Sequence, residues 1–191
     1  MMPRPGVTAA DRYLPCGYIP WTKDRIREII PTKDRDLNWF FSGQNTHVRR
    51  EECVRQLRKL GGGIFNESKD FSAGMSHQDY FAAMVRAKVA PCPTGYHTVD
   101  SFRLAEAMEA GCIPIVDTQS TKNGALDYWG LVFGSFPFPI IEDWTNLPAM
   151  IEEQAALWSA KSSSIGAWWM ATKRQMAYNL RDDLSALSGS L

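Results

Sequence analysis

Two short segments, AKVAPC at 87–92 and CIPIV at 112–116, constrain the fold more than anything else in the chain. A strand with one face in water alternates apolar and polar residues, whereas these runs are apolar almost throughout. Strands of that kind are covered on both faces, the normal situation of a parallel sheet between layers of helices. Between the two runs, the polar loop PTGYHTVD (93–100) leads into a helical segment from Ser101 to Ala110. Gly111 follows as the residue that ends such a helix.

The same alternation extends upstream. A short aromatic strand is expected at Leu37–Phe41, then the polar turn SGQNTH at 42–47. Val48, Cys53, Val54, Leu57 and Leu60 next fall at helical spacing, and Gly61–Gly63 stop that helix. Ile64–Phe65 reads as a second strand, and Ser76 as the cap of a helix reaching about Arg86, with Tyr80, Phe81 and Met84 inward. Downstream, the aromatic and proline-rich stretch Phe133–Trp144 is expected to cross the surface and end the alternation. Two helices should follow, Asn146–Ala160 and Ile165–Leu184, broken at Ser162–Ser164. The expected fold is therefore α/β, a Rossmann-like parallel sheet covered by helices, with C-terminal helices. Residues 1–35 read as a lead-in that packs on the domain, 36–145 as the domain itself and 146–191 as the helices packing on it.

Composition narrows the function classes. The 191 residues are 45% hydrophobic and 22% charged, enough for a core that needs neither disulfides nor metals. The 21 basic and 21 acidic residues cancel, so no net field draws the chain to nucleic acid or an anionic membrane. Cys16, Cys53, Cys92 and Cys112 form no C-x-x-C pair and read as free thiols of a reducing compartment. With three histidines and no His/Cys cluster, no metal site is expected. The N-terminus has no apolar signal-like core and no stretch nears the ~20 apolar residues of a membrane span, so a cytoplasmic location is expected. Neither G-x-G-x-x-G, a phosphate-binding P-loop nor a G-x-S-x-G elbow occurs, and no cofactor is implied. Asp34-Arg35-Asp36 spells D-x-D, but before a strand, and reads as a solvated turn.

Ligands of open parallel sheets bind beyond the carboxyl ends of strands, where helix N-termini offer free N–H groups. Two turns fit that place, Ser42–His47 and Pro93–Asp100, and each enters a helix carrying arginine in its first turn: Arg49 and Arg50, then Arg103. A cation there opposes the helix dipole by ~0.3–1 kcal/mol, and a bound anion would reverse the sign. Two explanations stay open. Glu51 and Glu52 neutralise the first pair while Arg103 pairs with Glu106, or the turns hold a phosphodiester or diphosphate. Glu106, aimed past the phosphates, can accept from both hydroxyls of a ribose.

The segment DSFRLAEAMEAGCIPIV (100–116) resembles the donor domain of exostosin-type glycosyltransferases. NWFFSGQNTHVRREECVRQL (38–57) resembles the strand, glycine turn and arginine helix of the same family, in the right order. The resemblance implies a GT-B arrangement, with a nucleotide sugar, usually a UDP-sugar, held without metal and transferred with inversion. By position, Ser42, Gly43, Arg49, Arg50, Ser101 and Arg103 would approach the diphosphate and Glu106 the ribose. Cys92, Pro93, Thr94 and Gly95 would lie near the base or sugar. His47, His97 and Asp100 are the candidates for a catalytic base, and Trp129 or Trp144 for stacking on a sugar. The acceptor could be a glycan, lipid-linked glycan, protein or modified DNA. Residues 1–35 are too few for the acceptor domain. Three readings stay open: the chain is a fragment of a two-domain enzyme, a homodimer or partner subunit supplies the other half, or a reduced enzyme makes its cleft differently. A non-catalytic nucleotide-sugar-binding module is the alternative to an active transferase.

Overall fold

The computed structural model describes residues 15–18, 29, 31–70, 74–95, 98–117, 119–120, 124–125 and 127–188. Strand β1 (Leu37–Gly43) is followed by helix α1 (Val48–Leu57), β2 (Gly63–Glu67) and α2 (His77–Met84). Then come β3 (Ala87–Cys92), α3 (Phe102–Glu109) and β4 (Ile113–Asp117). A small antiparallel pair, β5 (Gln119–Ser120) and β6 (Gly124–Ala125), precedes α4 (Tyr128–Phe133) and β7 (Ile140–Ile141). A single 3-10 turn, Trp144–Asn146, leads into the long helix α5 (Leu147–Ser188).

Five strands form one wholly parallel sheet in the order β2-β1-β3-β4-β7. The chain steps outward from β1 to β2, then returns across β1 to β3 and continues the other way. The loops leaving β1 and β3 therefore diverge, and a crevice opens between the carboxyl ends of these two strands.

The apolar runs explain the layering. In β1, Trp39 and Phe41 enter the core on one face, with Cys53, Val54 and Leu57 of α1 and Leu147 and Ile151 of α5. Phe40, between them in sequence, points to the other face, where Met84 of α2, Leu104 and Met108 of α3 and Trp129 of α4 pack. At α2 the Ser76 side chain accepts from the Asp79 amide, as expected of a cap. Gly111 sits at φ 73°, the left-handed conformation that ends α3.

The structure corrects two expectations. The stretch Phe133–Trp144 does not simply cross the surface: Phe138, Ile141 and Trp144 are buried, and Ile140–Ile141 adds the fifth strand beside β4. Its rings pack edge-on and stacked against one another and Trp168, and burial of that aromatic area outweighs the local proline and glycine signals. Nor is there a break at Ser162–Ser164; α5 runs unbroken for 42 residues. Serine costs a helix only a few tenths of a kcal/mol. Here Ile151 anchors the helix on one face of the sheet and Ile165 and Trp169 on the other, so the serines between them stay helical. Among the described residues no helix is long and apolar enough to cross a membrane.

Arg35 ties the amino-terminal edge of the sheet together. Its buried guanidinium donates to the carbonyls of Thr32, Ala87 and Ala110 and lies 4.8 Å over the Trp158 ring. Asp36 beside it is exposed and pairs with Arg86 (Nε to Oδ1 2.9 Å), so this carboxylate of the D-x-D segment is in a solvated ion pair while Arg35 at its centre is buried. Arg35→Ala would leave buried carbonyls without donors, and urea unfolding should show a loss of about 3 kcal/mol.

Candidate functional site

A cavity of about 820 Å³ occupies the crevice between the ends of β1 and β3. Its walls come from the β1–α1 turn, the loop after β3, the start of α3 and the β2–α2 connection.

Strand β1 runs two residues further than expected, pairing Ser42 with Asn66 and Gly43 with Glu67. This extension presents the Ser42 carbonyl to Arg103, whose Nη2 donates to it. The guanidinium lies 4.3 Å over the Phe41 ring and is 8% exposed. Nε and Nη1 of Arg103 are buried and have no hydrogen-bond partner in the protein, as is also true of the Ser101 hydroxyl. A side chain at position 43 would collide with this guanidinium, so Gly43 is there for close approach.

Arg50 enters from the first helix turn of α1 and is equally buried. Its Nε donates to the Thr94 carbonyl and Nη1 to the Gln44 carbonyl, each at 2.9 Å. Burial, followed by the positive charge of Arg103, pulls its pKa down to about 10. Two buried cations thus share one cavity. Glu52 pairs with Arg55 and accepts from Gln56, and Glu106 accepts from the Tyr80 hydroxyl at 2.7 Å. Neither α1 nor α3 has a side-chain cap at its N-terminus.

Thr94 is fully buried and serves as the knot of the site. Its hydroxyl donates to Asp117 Oδ1, and Trp144 Nε1 donates to Oδ2 of the same carboxylate at 2.8 Å. The Thr94 carbonyl in turn accepts from Arg50 and from His47 Nε2, at 3.0 Å. A carbonyl only accepts, so the His47 proton sits on Nε2. Burial above all, with help from Arg50 and Arg49, holds this imidazole below its ordinary pKa.

Of the residues singled out in the sequence, Ser42, Gly43, Arg50, Gly95, Asp100, Ser101, Arg103 and Glu106 line the cavity. The others do not. Cys92 donates to the Ala90 carbonyl inside the core, and Pro93 and Thr94 are buried behind the wall. Arg49 is half-buried and reaches the Gly95 carbonyl at 3.4 Å, while His47 turns to Thr94. Asp100 is 2% exposed and accepts from the Cys16 amide. His97 lies outside the described residues. Trp129 and Trp144 are core residues, their indoles donating to the Asp117 carbonyl and carboxylate, not sugar platforms. All four cysteines are free, and burial pushes Cys92 up to about 12 and Cys112 to about 11.

The β2–α2 side escaped sequence reading: Ser68, Asp70, Met75, His77 and Tyr80 also line the cavity. Position was the available signal, because this too is a loop beyond a strand's carboxyl end. Asp117 was missed as well, although a lone carboxylate closing an all-apolar strand is a recognisable mark. Among the described residues, no group of three or more His, Cys, Asp or Glu could hold a metal ion.

A parallel sheet flanked by helices, with its cavity at the β1/β3 reversal, defines an α/β protein of the Rossmann-like class. Residues 45–186 match the family model described as the RXYLT1 C-terminal domain, and the chain belongs to that exostosin-like, glycosyltransferase-related family. No curated protein matches the chain.

The geometry sets two stability expectations. Asp117→Ala strands the Thr94 hydroxyl and Trp144 indole and should cost about 3 kcal/mol in urea unfolding. Gly43→Ala should cost about 1–2 kcal/mol, in part by driving Arg103 off the Ser42 carbonyl, and that part should be absent in an Arg103→Ala background. A double-mutant cycle measures this; equal costs in both backgrounds would refute the contact as the reason for glycine.

Proposed function

We propose that the protein is a glycosyltransferase that moves a sugar from a nucleoside-diphosphate sugar, foremost a UDP-sugar, to an acceptor hydroxyl. The observation that carries this reading is Arg103: a buried cation with two donors unused by the protein, at the carboxyl edge of a parallel sheet. A diphosphate placed there accepts from Arg103 and the Ser101 hydroxyl and faces the uncapped N-terminus of α3. Arg50 contributes charge more than hydrogen bonds, since two of its nitrogens are committed to carbonyls.

In the reaction the bond between the anomeric carbon and the diphosphate oxygen breaks, and negative charge accumulates on the leaving nucleoside diphosphate. The arginines supply the positive charge that stabilises it, so the proposed transfer needs no metal ion. Donors already fixed by Phe41 stacking and the Thr94 knot do not have to reorganise as that charge appears. The acceptor oxygen attacks from the opposite face, inverting the anomeric centre, after a base removes its proton. In the GT-B arrangement this chain is the donor half, and the acceptor lies across the cleft.

One observation favours an alternative, a nucleotide-sugar-binding subunit that does not itself transfer. Both described base candidates are engaged elsewhere, His47 with the Thr94 carbonyl and Asp100 with the Cys16 amide. Release of free nucleoside diphosphate from a donor panel, with and without acceptors, separates the two.

Thermal shift against nucleotides and nucleotide sugars tests the donor site itself. UDP and UDP-sugars should stabilise the protein by about 2.7 kcal/mol at one hundred times Kd. Arg103→Ala should abolish the shift while leaving the protein folded. Undiminished UDP binding by Arg103→Ala would remove the diphosphate from this cavity.

A further inference from the structure

Cys16 stands 84 residues before Asp100, yet its backbone amide donates to Asp100 Oδ2 and the residue lines the cavity beside Ser101 and Arg103. Asp100 is buried, a costly place for a carboxylate unless donors meet it. Two residues on from Cys16, the Tyr18 hydroxyl donates to Oε1 of Glu109, the last residue of α3. The same oxygen accepts from Trp169 Nε1 at 2.8 Å and pairs with Lys173, both on α5. Burial, then the hydrogen bond to Glu109, push the Tyr18 phenol above its ordinary pKa, so it stays a donor. Between the two anchors Gly17 sits at φ 71°, the left-handed conformation that glycine adopts without strain.

Residues 16–18 are thus tied to both ends of α3, by a backbone amide near its start and a phenol at its finish. They belong to no helix or strand, so ordering them costs conformational entropy that these two contacts offset. With that cost met on folding, a cavity wall made from them need not be ordered when a ligand arrives. We propose that residues 16–18 form a wall of the donor site, and that Asp100 and Tyr18 are the positioning residues that hold it there. The inference rests on the donor-site reading above and adds to the site an element from outside the loops of the sheet. Asp100 acts through the Cys16 backbone, and Tyr18 acts through Glu109.

Isothermal titration of the full chain with UDP, together with the rate of Cys16 alkylation by N-ethylmaleimide read by mass spectrometry, tests this. Cys53, Cys92 and Cys112 are buried, so Cys16 is the thiol open to the reagent. Partial burial and the Asp100 charge push its thiol up to about 11, and only the thiolate reacts, so a wall in place keeps alkylation slow. UDP at about ten times Kd should slow alkylation about tenfold more, because the ligand holds the closed form. Tyr18→Phe keeps the ring packing but removes one anchor, and Asp100→Ala removes the other. Each should weaken UDP binding about fivefold or more and speed alkylation without nucleotide about tenfold. Asp100→Asn keeps an oxygen for the Cys16 amide and should bind UDP within about twofold of wild type. Unchanged UDP affinity in Tyr18→Phe and Asp100→Ala overturns the proposal, as does weaker binding with no change in alkylation. Alkylation that UDP leaves untouched overturns it too. A loss in Asp100→Asn as large as in Asp100→Ala overturns the anchoring role of Asp100, since the site would then need its charge. Failure of wild-type protein to bind UDP would instead overturn the donor-site reading, and the wall with it. Should Asp100→Ala fail to fold, Gly17→Ala, strained at φ 71°, is read in its place on the same two measurements.

Discussion

The carbonyl of Thr94 holds the site together. It accepts from Arg50 and His47 of one turn while the rest of Thr94 is anchored to Asp117 and, through that carboxylate, to Trp144. Two loops leaving different strands are thereby locked to each other and to the end of β4. Without that lock, each loop would be a flexible surface connection. With it, both become parts of a rigid wall, at the place where the strand order reverses.

On this frame the charges are arranged unequally. Arg50 spends its donors on carbonyls and is depressed in pKa by burial and by its neighbour. Arg103 gives one nitrogen to Ser42, stacks on Phe41 and keeps two nitrogens without a protein partner. A buried guanidinium with unused donors is unfavourable in an empty domain. The same arrangement is favourable around an anion, because the cost of assembling the donors is met on folding and not at binding. This difference separates a structural arginine such as Arg35, whose donors all go to the protein's own carbonyls and a cysteine sulfur, from one facing a ligand.

An acidic residue of the cavity is held differently. Glu106 accepts from Tyr80 of α2, while Arg103, one turn away on the same helix α3, donates to the Ser42 carbonyl of β1.

Much of this molecule was legible in its residues. Apolar runs at 87–92 and 112–116 required burial on both faces, and that demand alone leads to a parallel sheet with helices on each side. Arginines at two helix starts marked the cavity's basic wall, because a cation at a helix N-terminus opposes the dipole unless an anion sits beside it. Sequence could not say that Phe133–Trp144 contributes β7 or that α5 continues through Ser162–Ser164, since both follow from apolar area buried against distant elements. It could not separate Arg50 from Arg103, nor send Thr94 behind the wall and bring Tyr80 to it. Those roles depend on which carbonyls and carboxylates lie within about 3 Å, and residues more than twenty positions apart meet at that range only after the sheet has formed.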